Sequence, residues 1–333
     1  MKVAINGFGR IGRLVLKLLC DDKDFDIVAI NDLGTLDELA YLLKYDTNYG
    51  SYKTNEISFD DNSLYVGNKK INVYKEMDPV NLPWKELGID LVFECSGKFT
   101  KLEAAKKHIE AGCKKVIISA PGKGDLKTIV YNVNHEILDG SEEVISAASC
   151  TTNCLAPTLK LIEDNYKIKK GFMTTVHAYT NDQVILDVSH KKGIKERRGR
   201  AGALNIIPTS TGAAKAIGLV IPSLDGKLDG YALRVPVQDG SVIDLVLELE
   251  QNVTADEINN LFVNNKNETI NITFDPIVSS DVIGCTSGCL VDANLTRVVS
   301  DGEKDLVKVV CWYDNEIGYT AQMIRTAKYF MSK

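Results

Sequence analysis

The feature that most constrains the fold of this chain is a glycine-rich turn that directly follows its first β-like run. The opening "VAINGFGRIGRL" spaces Gly7, Gly9 and Gly12 as G-x-G-x-x-G between a strand pattern and a helix pattern. In that setting glycine permits a tight turn, a close approach of the backbone to a pyrophosphate and close helix–strand packing, while the helix N-terminus attracts the anion. The turn therefore predicts a dinucleotide-binding βαβ unit.

An acidic residue at the end of the second predicted strand strengthens this interpretation. The run "DIVAIND" ends at Asp32, twenty residues after Gly12. A carboxylate at that place accepts hydrogen bonds from both ribose hydroxyls of NAD, so NAD is the expected cofactor. The alternative is a glycine turn in an unrelated α/β protein. A P-loop motif is absent from the sequence.

The rhythm of strand and helix patterns changes near Ser149. Before it, short runs such as "VAI", "DIVAIN", "LVFE" and "KVIIS" alternate with helical patterns, which predicts a parallel sheet, and "SLYV" and "INVY" form a hairpin at Gly67-Asn68. Beyond Cys150, longer alternating runs such as "SVIDLVLELE" predict a mixed or antiparallel sheet with one covered face. The predicted fold class is α/β, with a Rossmann parallel-sheet domain plus an α+β catalytic domain.

Length and charge exclude several classes of protein. A chain of 333 residues with a net charge of −6 is large enough for two domains and too acidic for nucleic acid as its main partner. No apolar stretch approaches the roughly 18 residues of a membrane span. No signal peptide precedes the glycine turn, so the eight cysteines are interpreted as reduced thiols of a cytoplasmic protein.

Two cysteine pairs raise the alternative of a four-thiolate zinc site. They are the CxxxC spacings Cys150/Cys154 and Cys285/Cys289. Neither pair is flanked by the residues of a zinc knuckle, and the chain contains no HExxH motif. No metal is therefore expected.

The stretch "SAASCTTNCLAP" presents a candidate nucleophile. It places Cys150 just after the β-like run "EEVIS", in the first turn of a predicted helix, where unpaired N–H groups and the helix dipole favour thiolate over thiol. A free cysteine is often only a small buried hydrophobe, and this description suits Cys154, beside Leu155 and Leu159, better. The alternative for Cys154 is to trap oxidised Cys150 as a disulfide.

A nucleophilic thiol near a nicotinamide site indicates aldehyde oxidation, which requires a base. His177 ends "FMTTVHAYT", where a strand delivers it to the margin of a sheet. His108 lies in a polar helical pattern and is expected to be solvated. His190 lies in the basic run "SHKKGIKERRGR", and His135 is expected to be structural. The residues alone do not decide which histidine is the base.

Two further stretches are suited to anions. "PTSTGAAKA" offers hydroxyls and a glycine at a predicted helix start, although ordinary helix capping uses the same residues. Arg234 lies within the apolar strand "YALRVPV", where a guanidinium needs an anionic partner. The basic run from His190 to Arg200 is interpreted as a solvated face, with an RNA-binding strip as the alternative.

Eight motifs taken together closely resemble the phosphorylating glyceraldehyde-3-phosphate dehydrogenases. They cover essentially the whole chain in the family's order: "INGFGRIGRL", "NDL", "LLKYDTNYG", "SAASCTTNCLAP", "TVHAYTNDQ", "IIPTSTGAAKAIG", "ALRVPV" and "WYDNEIGY". The combination of "SCTTNC", "HAYT" and "STGAAKA" is highly specific. The resemblance implies glycolytic oxidation of D-glyceraldehyde 3-phosphate to 1,3-bisphosphoglycerate with NAD and inorganic phosphate.

The same resemblance implies roles for matching positions. Cys150 looks like the nucleophile that forms a hemithioacetal and then a thioester, and His177 looks like the base paired with its thiolate. Thr180 and Arg234 are similar to the residues of one anion site, next to the cofactor. Residues similar to those of the other anion site are Ser149, Thr151, Arg198, Thr211 and Gly212. Besides Gly7, Gly9 and Gly12, the positions that match cofactor-binding residues are Arg10, Ile11, Asp32, Met77 (through its backbone), Ser96, Ser119 and Asn315.

The family likeness also implies an architecture and an assembly. Residues 1–149 with 315–333 are expected to form the Rossmann domain and residues 150–314 the catalytic domain, in a homotetramer. One alternative is erythrose-4-phosphate dehydrogenase, which departs from "STGAAKA" where this chain keeps it. Semialdehyde dehydrogenases that make acyl phosphates lack the paired signatures around "HAYT" and "RVPV". A redox-sensing or RNA-binding protein on a dehydrogenase scaffold is a third alternative.

Signals for the choice of nicotinamide cofactor are mixed. Members of this family that are specific for NAD usually combine "NDL" after the second strand with a proline in the loop after "ILD". Members that accept NADP tend to have a serine at that loop position. Asp32 and Leu33 are of the NAD type, whereas "ILDVSHKK" places Ser189 in the loop. We expect Asp32 to dominate, because it repels a 2′-phosphate.

Overall fold

The structure, a computed structural model, describes residues 1–191, 193 and 195–333 and divides the chain into two compact units. The first unit comprises Met1–Ile129, His135–Ser149 and Met323–Lys333. The second comprises Val130–Asn134 and Cys150–Gln322. The limits of the functional domains, 1–149 with 315–333 and 150–314, stay a prediction.

Short strands rich in β-branched residues build the first unit. In chain order they are β1 (Lys2–Asn6), β2 (Asp26–Asn31), β3 (Tyr45–Asp46), β4 (Gly50–Ser51), β5 (Ile57–Phe59), β6 (Ser63–Val66), β7 (Lys69–Tyr74), β8 (Leu91–Glu94), β9 (Lys115–Ile118) and β10 (Val144–Ser146). Eight of them form one sheet in the order β10-β9-β8-β1-β2-β7-β6-β5, and β3 pairs with β4. The six strands from β10 to β7 run parallel.

The predicted parallel sheet and its hairpin are confirmed. β6 pairs antiparallel with β7, and Gly67 at their turn has a φ of +60°, a left-handed conformation that glycine adopts without strain. The parallel strands are buried on both faces, with Val3 and Ile5 in the core on one face and Ala4 and Val92 in the core on the other.

Helices follow most of the parallel strands of this unit. They are α1 (Arg10–Leu19), α2 (Leu36–Lys44), α3 (Trp84–Leu87), α4 (Leu102–Ala105) and α5 (Lys107–Glu110), with short 3-10 helices at Pro79–Asn81 and His135–Ile137. The sequence "KLEAAKKHIEAG" predicts a single helix, but the structure has α4 and α5 on either side of Lys106. Lys106 has a ψ of −20°, closer to 3-10 than to α geometry.

The expectation that His108 is solvated is wrong. Its ring is fully buried between Trp84 and Glu94. Nε1 of Trp84 donates a hydrogen bond to Nδ1 of His108 at 3.0 Å, and Nε2 of His108 lies 3.1 Å from Oε2 of Glu94. Each ring nitrogen therefore has a hydrogen-bond partner inside the protein, and these bonds offset the cost of removing the imidazole from water. The polar residues next to His108 in the sequence gave no sign of these partners.

Longer strands build a mixed sheet in the second unit. They are β11 (Ile168–Ala178), β12 (Ile207–Ser210), β13 (Leu228–Val235), β14 (Ser241–Leu249), β15 (Ile270–Thr273), β16 (Cys289–Asp292), β17 (Arg297–Ser300) and β18 (Asp305–Tyr313). Their order is β12-β13-β11-β14-β18-β16-β15, and β17 also pairs with β18. β11 runs parallel to β13 and antiparallel to β14. Burial alternates along β14, so the expected mixed sheet with one covered face is confirmed.

Four helices described in or near this unit complete the fold. They are α6 (Cys150–Tyr166), α7 (Ala213–Val220), α8 (Ala255–Asn264) and α9 (Ile317–Met331), and 3-10 helices lie at Arg197–Gly199, Pro222–Leu224, Ser279–Val282 and Ala293–Leu295. The division between the two units falls within α9, after Gln322. Among the helices described, none has the length and apolar character needed to span a membrane.

Candidate active site

The structure brings Cys150 and His177 together. Cys150 is the first residue of α6, and His177 is the penultimate residue of β11. Sγ of Cys150 lies 3.4 Å from Nε2 of His177, within reach for proton transfer between thiol and imidazole. The imidazole is buried, and Cys150 is half-buried. This is the arrangement of a nucleophile with an adjacent base.

The surroundings of His177 indicate which ring nitrogen carries the proton. Nδ1 lies 2.7 Å from the carbonyl oxygen of Ala178, which can only accept a hydrogen bond. Nη1 of Arg234 lies 2.9 Å from the same Nδ1, but it also donates to the Ala178 carbonyl at 2.9 Å. The neutral ring with its proton on Nδ1 satisfies this carbonyl. Nε2 then offers its lone pair to the Cys150 thiol.

Burial opposes charge on both members of the pair. Desolvation, followed by the charge of Arg234, lowers the pKa of His177 to about 3. Desolvation raises the pKa of Cys150, and it outweighs the lowering effects of Arg234 and of hydrogen bonds with Thr151. The net direction for Cys150 is opposite to that expected from its helix-start position. Both shifts favour the neutral thiol and the neutral imidazole over the ion pair.

Arg234 lies beside this pair because of strand register. β11 and β13 are parallel neighbours, and His177 is directly opposite Arg234. Nη1 of Arg234 also donates to Oγ1 of Thr180 at 3.1 Å, so the predicted grouping of Thr180 with Arg234 has a direct contact behind it. Nε of Arg234 is buried without a hydrogen-bond partner in the described structure. A buried guanidinium with a free donor is suited to an anionic ligand.

Asp182 joins Thr180 to Arg198, and sequence reasoning missed it. The Thr180 hydroxyl donates to Oδ1 of Asp182 at 2.5 Å, and Nη1 of Arg198 forms an ion pair with Oδ2. Nε of Arg198 donates to Oγ1 of Thr209 at 3.0 Å. The structure thus places Arg198, which the resemblance assigned to the other anion site, on the same carboxylate as Thr180. The sequence does place this acidic residue two positions after Thr180, a spacing at which a side-chain contact with the Thr180 hydroxyl could have been predicted.

The remaining residues of the predicted second anion site lie at two helix starts. Ser149 directly precedes α6, and Thr151 lies in its first turn with its hydroxyl 3.0 Å from that of Tyr313. Gly212 caps α7, and Oγ1 of Thr211 accepts from the Ala213 N–H at 3.2 Å. Their assignment to one phosphate site stays a prediction.

Tyr313 is a second residue that sequence reasoning missed. Its buried hydroxyl lies 3.0 Å from Oγ1 of Thr151 and 2.8 Å from Oγ1 of Thr175. It therefore ties the first turn of α6 to β11, the two elements that carry Cys150 and His177. The run "DLVKVVCWYD" indicates only a strand of the mixed sheet at this position.

The glycine turn of the first unit fits a dinucleotide. Gly7 has a φ of +91°, and a Cβ there would lie 2.6 Å from the backbone nitrogen of Ser96. A Cβ at Gly12 would lie 2.1 Å from the carbonyl oxygen of Gly7. Asp32 accepts from the backbone N–H groups of Phe8 at 2.7 Å and Gly34 at 2.9 Å, which orients its carboxylate. Only glycine at these positions permits the tight turn that NAD binding requires.

Other predicted cofactor positions lie around this turn or in the second unit. Gly9 caps α1, Arg10 and Ile11 begin it, Met77 is exposed, and Ser96 and Ser119 follow β8 and β9. Asn315 belongs to the second unit, where its Oδ1 accepts from the Ser241 hydroxyl at 2.6 Å. Nothing in these positions conflicts with the predicted role, which stays a prediction.

The cysteines other than Cys150 are mainly core residues. Cys154 is fully buried, so its predicted place in the core is confirmed. Cys289 and Cys311 lie close by, with their sulfur atoms 3.1 Å and 3.5 Å from Oγ1 of Thr158. All eight cysteines are free thiols. Within the described residues, no group of three or more His, Cys, Asp or Glu side chains is arranged to hold a metal ion.

The basic run from His190 to Arg200 is only partly described. Lys192 and Ile194 lie outside the described residues, so the RNA-binding alternative for the whole strip stays untested. Nε2 of His190 lies 3.1 Å from the carbonyl oxygen of Asp182, and Ser189 is exposed. His135 packs edge-on against Tyr329 at 4.6 Å between ring centroids, in keeping with a structural role.

Comparison with known proteins agrees with this geometry. Residues 1–102 match the family model of the glyceraldehyde 3-phosphate dehydrogenase NAD binding domain, and residues 149–315 match that of the C-terminal domain. The chain is 56% identical over 329 residues to glyceraldehyde-3-phosphate dehydrogenase of Clostridium pasteurianum, which covers 99% of this chain and 98% of that protein. It is 53% identical over 331 residues to the Streptococcus pyogenes protein of the same name, with the same two coverages.

These matches confirm the resemblance and the expected NAD-binding Rossmann domain. The two family models together account for most of the 333 residues. The relatives are matched over nearly their full length. The chain therefore belongs to the glyceraldehyde-3-phosphate dehydrogenase family.

Proposed function

We propose that this chain is the phosphorylating, NAD-dependent oxidoreductase of glycolysis that converts D-glyceraldehyde 3-phosphate and inorganic phosphate to 1,3-bisphosphoglycerate. The observation that carries the proposal is the contact of 3.4 Å between Sγ of Cys150 and Nε2 of His177, with Arg234 on the other side of the imidazole. A thiol, a base and a buried cation are the groups that oxidation of a phosphorylated aldehyde requires.

Cys150 and His177 divide the covalent chemistry between them. Nε2 of His177 accepts the thiol proton as Sγ attacks the aldehyde carbon, and returns it to the oxygen of the hemithioacetal. It takes that proton again as the carbon–hydrogen bond breaks and the thioester forms. NAD, when bound, accepts the hydride. Inorganic phosphate then attacks the thioester carbon and the carbon–sulfur bond breaks, which releases the acyl phosphate. The leaving sulfur of Cys150 takes back the proton held on Nε2 of His177, so that the thiol and the neutral imidazole are restored.

Arg234 and Thr180 hold a phosphate in this proposal. The unpartnered Nε of Arg234 can donate to its oxygens. The Thr180 hydroxyl can donate to the phosphate only by turning its proton away from Oδ1 of Asp182. The charge of Arg234 contributes to the low pKa of His177, so an anion on Arg234 opposes that effect. Binding of the substrate phosphate is therefore expected to strengthen His177 as a base.

Alkylation of Cys150 tests the electrostatic role of Arg234. The arginine charge lowers the pKa of the thiol, so Arg234→Leu should raise that pKa and shift the alkylation profile to higher pH. The expected result is slower reaction with iodoacetamide at neutral pH in the variant than in the wild type. Labelling rates measured against pH, with Cys150→Ser as the background, check this. A profile that does not move would contradict the assignment.

NAD should be strongly preferred over NADP, with weak but measurable NADP use. The Asp32 carboxylate is fixed by two backbone N–H groups, whereas the exposed Ser189 offers one neutral hydroxyl, worth about 1 kcal/mol. Asp32→Gly should therefore shift the kcat/KM ratio toward NADP far more than Ser189→Pro shifts it away. Steady-state kinetics with each cofactor measure both ratios. Wild-type efficiency with NADP equal to that with NAD would make Ser189 the controlling residue instead.

A homotetramer in the cytoplasm completes the proposal. Large apolar side chains are exposed on the second unit, including Phe172, Ile185 and Leu204, which supports association with further copies. The eight free thiols support a reducing compartment. Light scattering coupled to size-exclusion chromatography measures the oligomeric state.

One assay tests the proposed reaction. NADH formation from glyceraldehyde 3-phosphate should continue with phosphate present and stop after the first turnover without it, because the thioester then persists on Cys150. Faster turnover of erythrose 4-phosphate would favour the erythrose-4-phosphate dehydrogenase alternative. NAD binding with no turnover of either aldehyde would favour a redox-sensing or RNA-binding protein on this scaffold.

A further inference from the structure

A buried carboxylate that the proposed reaction does not use lies at the end of β8. The Glu94 side chain is excluded from solvent. Its Oε1 accepts from the backbone N–H of Ser96 at 2.8 Å and from the Ser96 hydroxyl. Its Oε2 lies 2.5 Å from Nδ2 of Asn6 and 3.1 Å from Nε2 of His108. A buried glutamate needs such partners, because an unpaired charge is costly.

The partners of Glu94 have their proton positions fixed by their own neighbours. Nε1 of Trp84 can only donate, so Nδ1 of His108 must accept, and the ring is neutral with its proton on Nε2. His108 therefore donates to Glu94. Asn6 presents Nδ2 to the carboxylate, since its Oδ1 accepts from Nδ2 of Asn31 at 2.7 Å. Glu94 thus accepts four hydrogen bonds, each from an uncharged donor.

This network ends at two loops that carry predicted cofactor positions. Asn31 accepts from the backbone N–H of Glu76 at 2.8 Å and donates to its carbonyl oxygen at 2.9 Å, which fixes the residue before Met77. At the other end Glu94 fixes the backbone and hydroxyl of Ser96. The backbone of Ser96 is also the surface against which Gly7 packs. One carboxylate thereby links the ends of β1, β2 and β8 beneath the glycine turn.

We infer that Glu94, held by His108, is a positioning residue for NAD. This inference rests on the proposed use of NAD by this unit and names the group that sets the shape of its binding site. The carboxylate keeps the loops at Ser96 and Glu76 in place before the cofactor arrives, so that binding costs less ordering. The Ser96 hydroxyl donates its hydrogen bond to Glu94, so it can only accept a hydrogen bond from a ligand.

Glu94→Gln tests the inference with a nearly isosteric change. Glutamine replaces one acceptor oxygen with an amide nitrogen, which must face either the two Ser96 donors or those of Asn6 and His108. His108 cannot adapt by moving its proton to Nδ1, because Trp84 donates there. We expect the NAD dissociation constant and KM to rise about tenfold, as for loss of a charge-assisted hydrogen bond, with kcat at saturating NAD changed less than about threefold.

Glu163→Gln is the matched control. Glu163 is also a buried glutamate, and it accepts from the backbone N–H of Ile168 at 2.7 Å in the second unit. This variant should bind NAD like the wild type. Calorimetric titration with NAD and steady-state kinetics measure both quantities. Equal NAD affinity in wild type and Glu94→Gln would overturn the inference, even if the variant melts at a lower temperature.

Two substitutions of His108 decide the matter if Glu94→Gln fails to fold. His108→Gln can still donate to Glu94 and accept from Trp84, whereas His108→Leu can do neither. The KM for NAD should stay near the wild-type value in the first and rise about threefold or more in the second. The same KM in both would limit this network to folding and overturn the inference. Failure of the wild type to bind NAD would instead overturn the proposed function.

Discussion

Cys150→Ser should abolish turnover of glyceraldehyde 3-phosphate while NAD binding stays close to that of the wild type. A serine hydroxyl at the start of α6 is a much weaker nucleophile than a thiol, and a neutral imidazole at 3.4 Å does not compensate for the difference. The glycine turn and Asp32 belong to the first unit and are unchanged by the substitution. NADH formation and calorimetric titration with NAD measure the two properties separately.

Cys154→Ser is the control for this prediction. Cys154 is fully buried in the same helix, next to the thiols of Cys289 and Cys311, and its sulfur lies 3.9 Å from the carbonyl oxygen of Trp312. A serine there changes the core but leaves Cys150 and His177 in place, so substantial activity should remain. Equal loss of activity in the two variants would refute the assignment of Cys150 as the nucleophile.

Arg234→Leu should lower kcat/KM for glyceraldehyde 3-phosphate by about 2 kcal/mol or more of transition-state stabilisation, which is roughly 30-fold. The substitution removes the free donor of Nε and the contact with Thr180. Because Nη1 also lies 2.9 Å from Nδ1 of His177, part of the loss will affect any aldehyde. The test is therefore the ratio of kcat/KM for glyceraldehyde 3-phosphate to kcat/KM for unphosphorylated glyceraldehyde. This ratio should fall sharply in the variant.

Arg297→Leu provides a matched comparison. Arg297 is an exposed arginine of β17, and its guanidinium donates to the carbonyl oxygens of Asn294 and Thr296. Its replacement should leave the ratio between the two aldehydes unchanged. If Arg234→Leu also keeps the wild-type ratio while losing activity, Arg234 supports the fold or His177 and does not bind phosphate.

Local chemistry explains which features could be predicted from the sequence. Gly7, Gly12 and Asp32 were accessible because the turn and the strand that follows it lie within one βαβ unit. The mixed sheet followed from the lengths and alternation of its strands. Cys150 stood out because a helix start is visible in the letters around it. In each case the relevant neighbours are close in the chain.

Non-local contacts explain what the sequence alone left open. Nothing near His177 in the chain shows that it meets Cys150, because their approach depends on how α6 lies along β11. The burial of His108 depends on Trp84, 24 residues away, and on the carboxylate of Glu94 at the end of β8. The position of Arg198 beside Asp182 depends on a loop that carries no periodic pattern. The letters alone cannot reveal such pairings, and family resemblance supplied the one between Cys150 and His177.

The parallel register of β11 and β13 has a consequence for the lengths that this protein tolerates. His177 and Arg234 are paired positions in these neighbouring strands. Their contact therefore depends on the number of residues that precede each of them in its strand. An inserted or deleted residue within either strand turns one of these side chains to the opposite face of the sheet, and it also moves the buried residues of that strand toward solvent. Length variation between homologues should therefore fall outside these two strands, and an insertion or deletion within either strand should abolish activity.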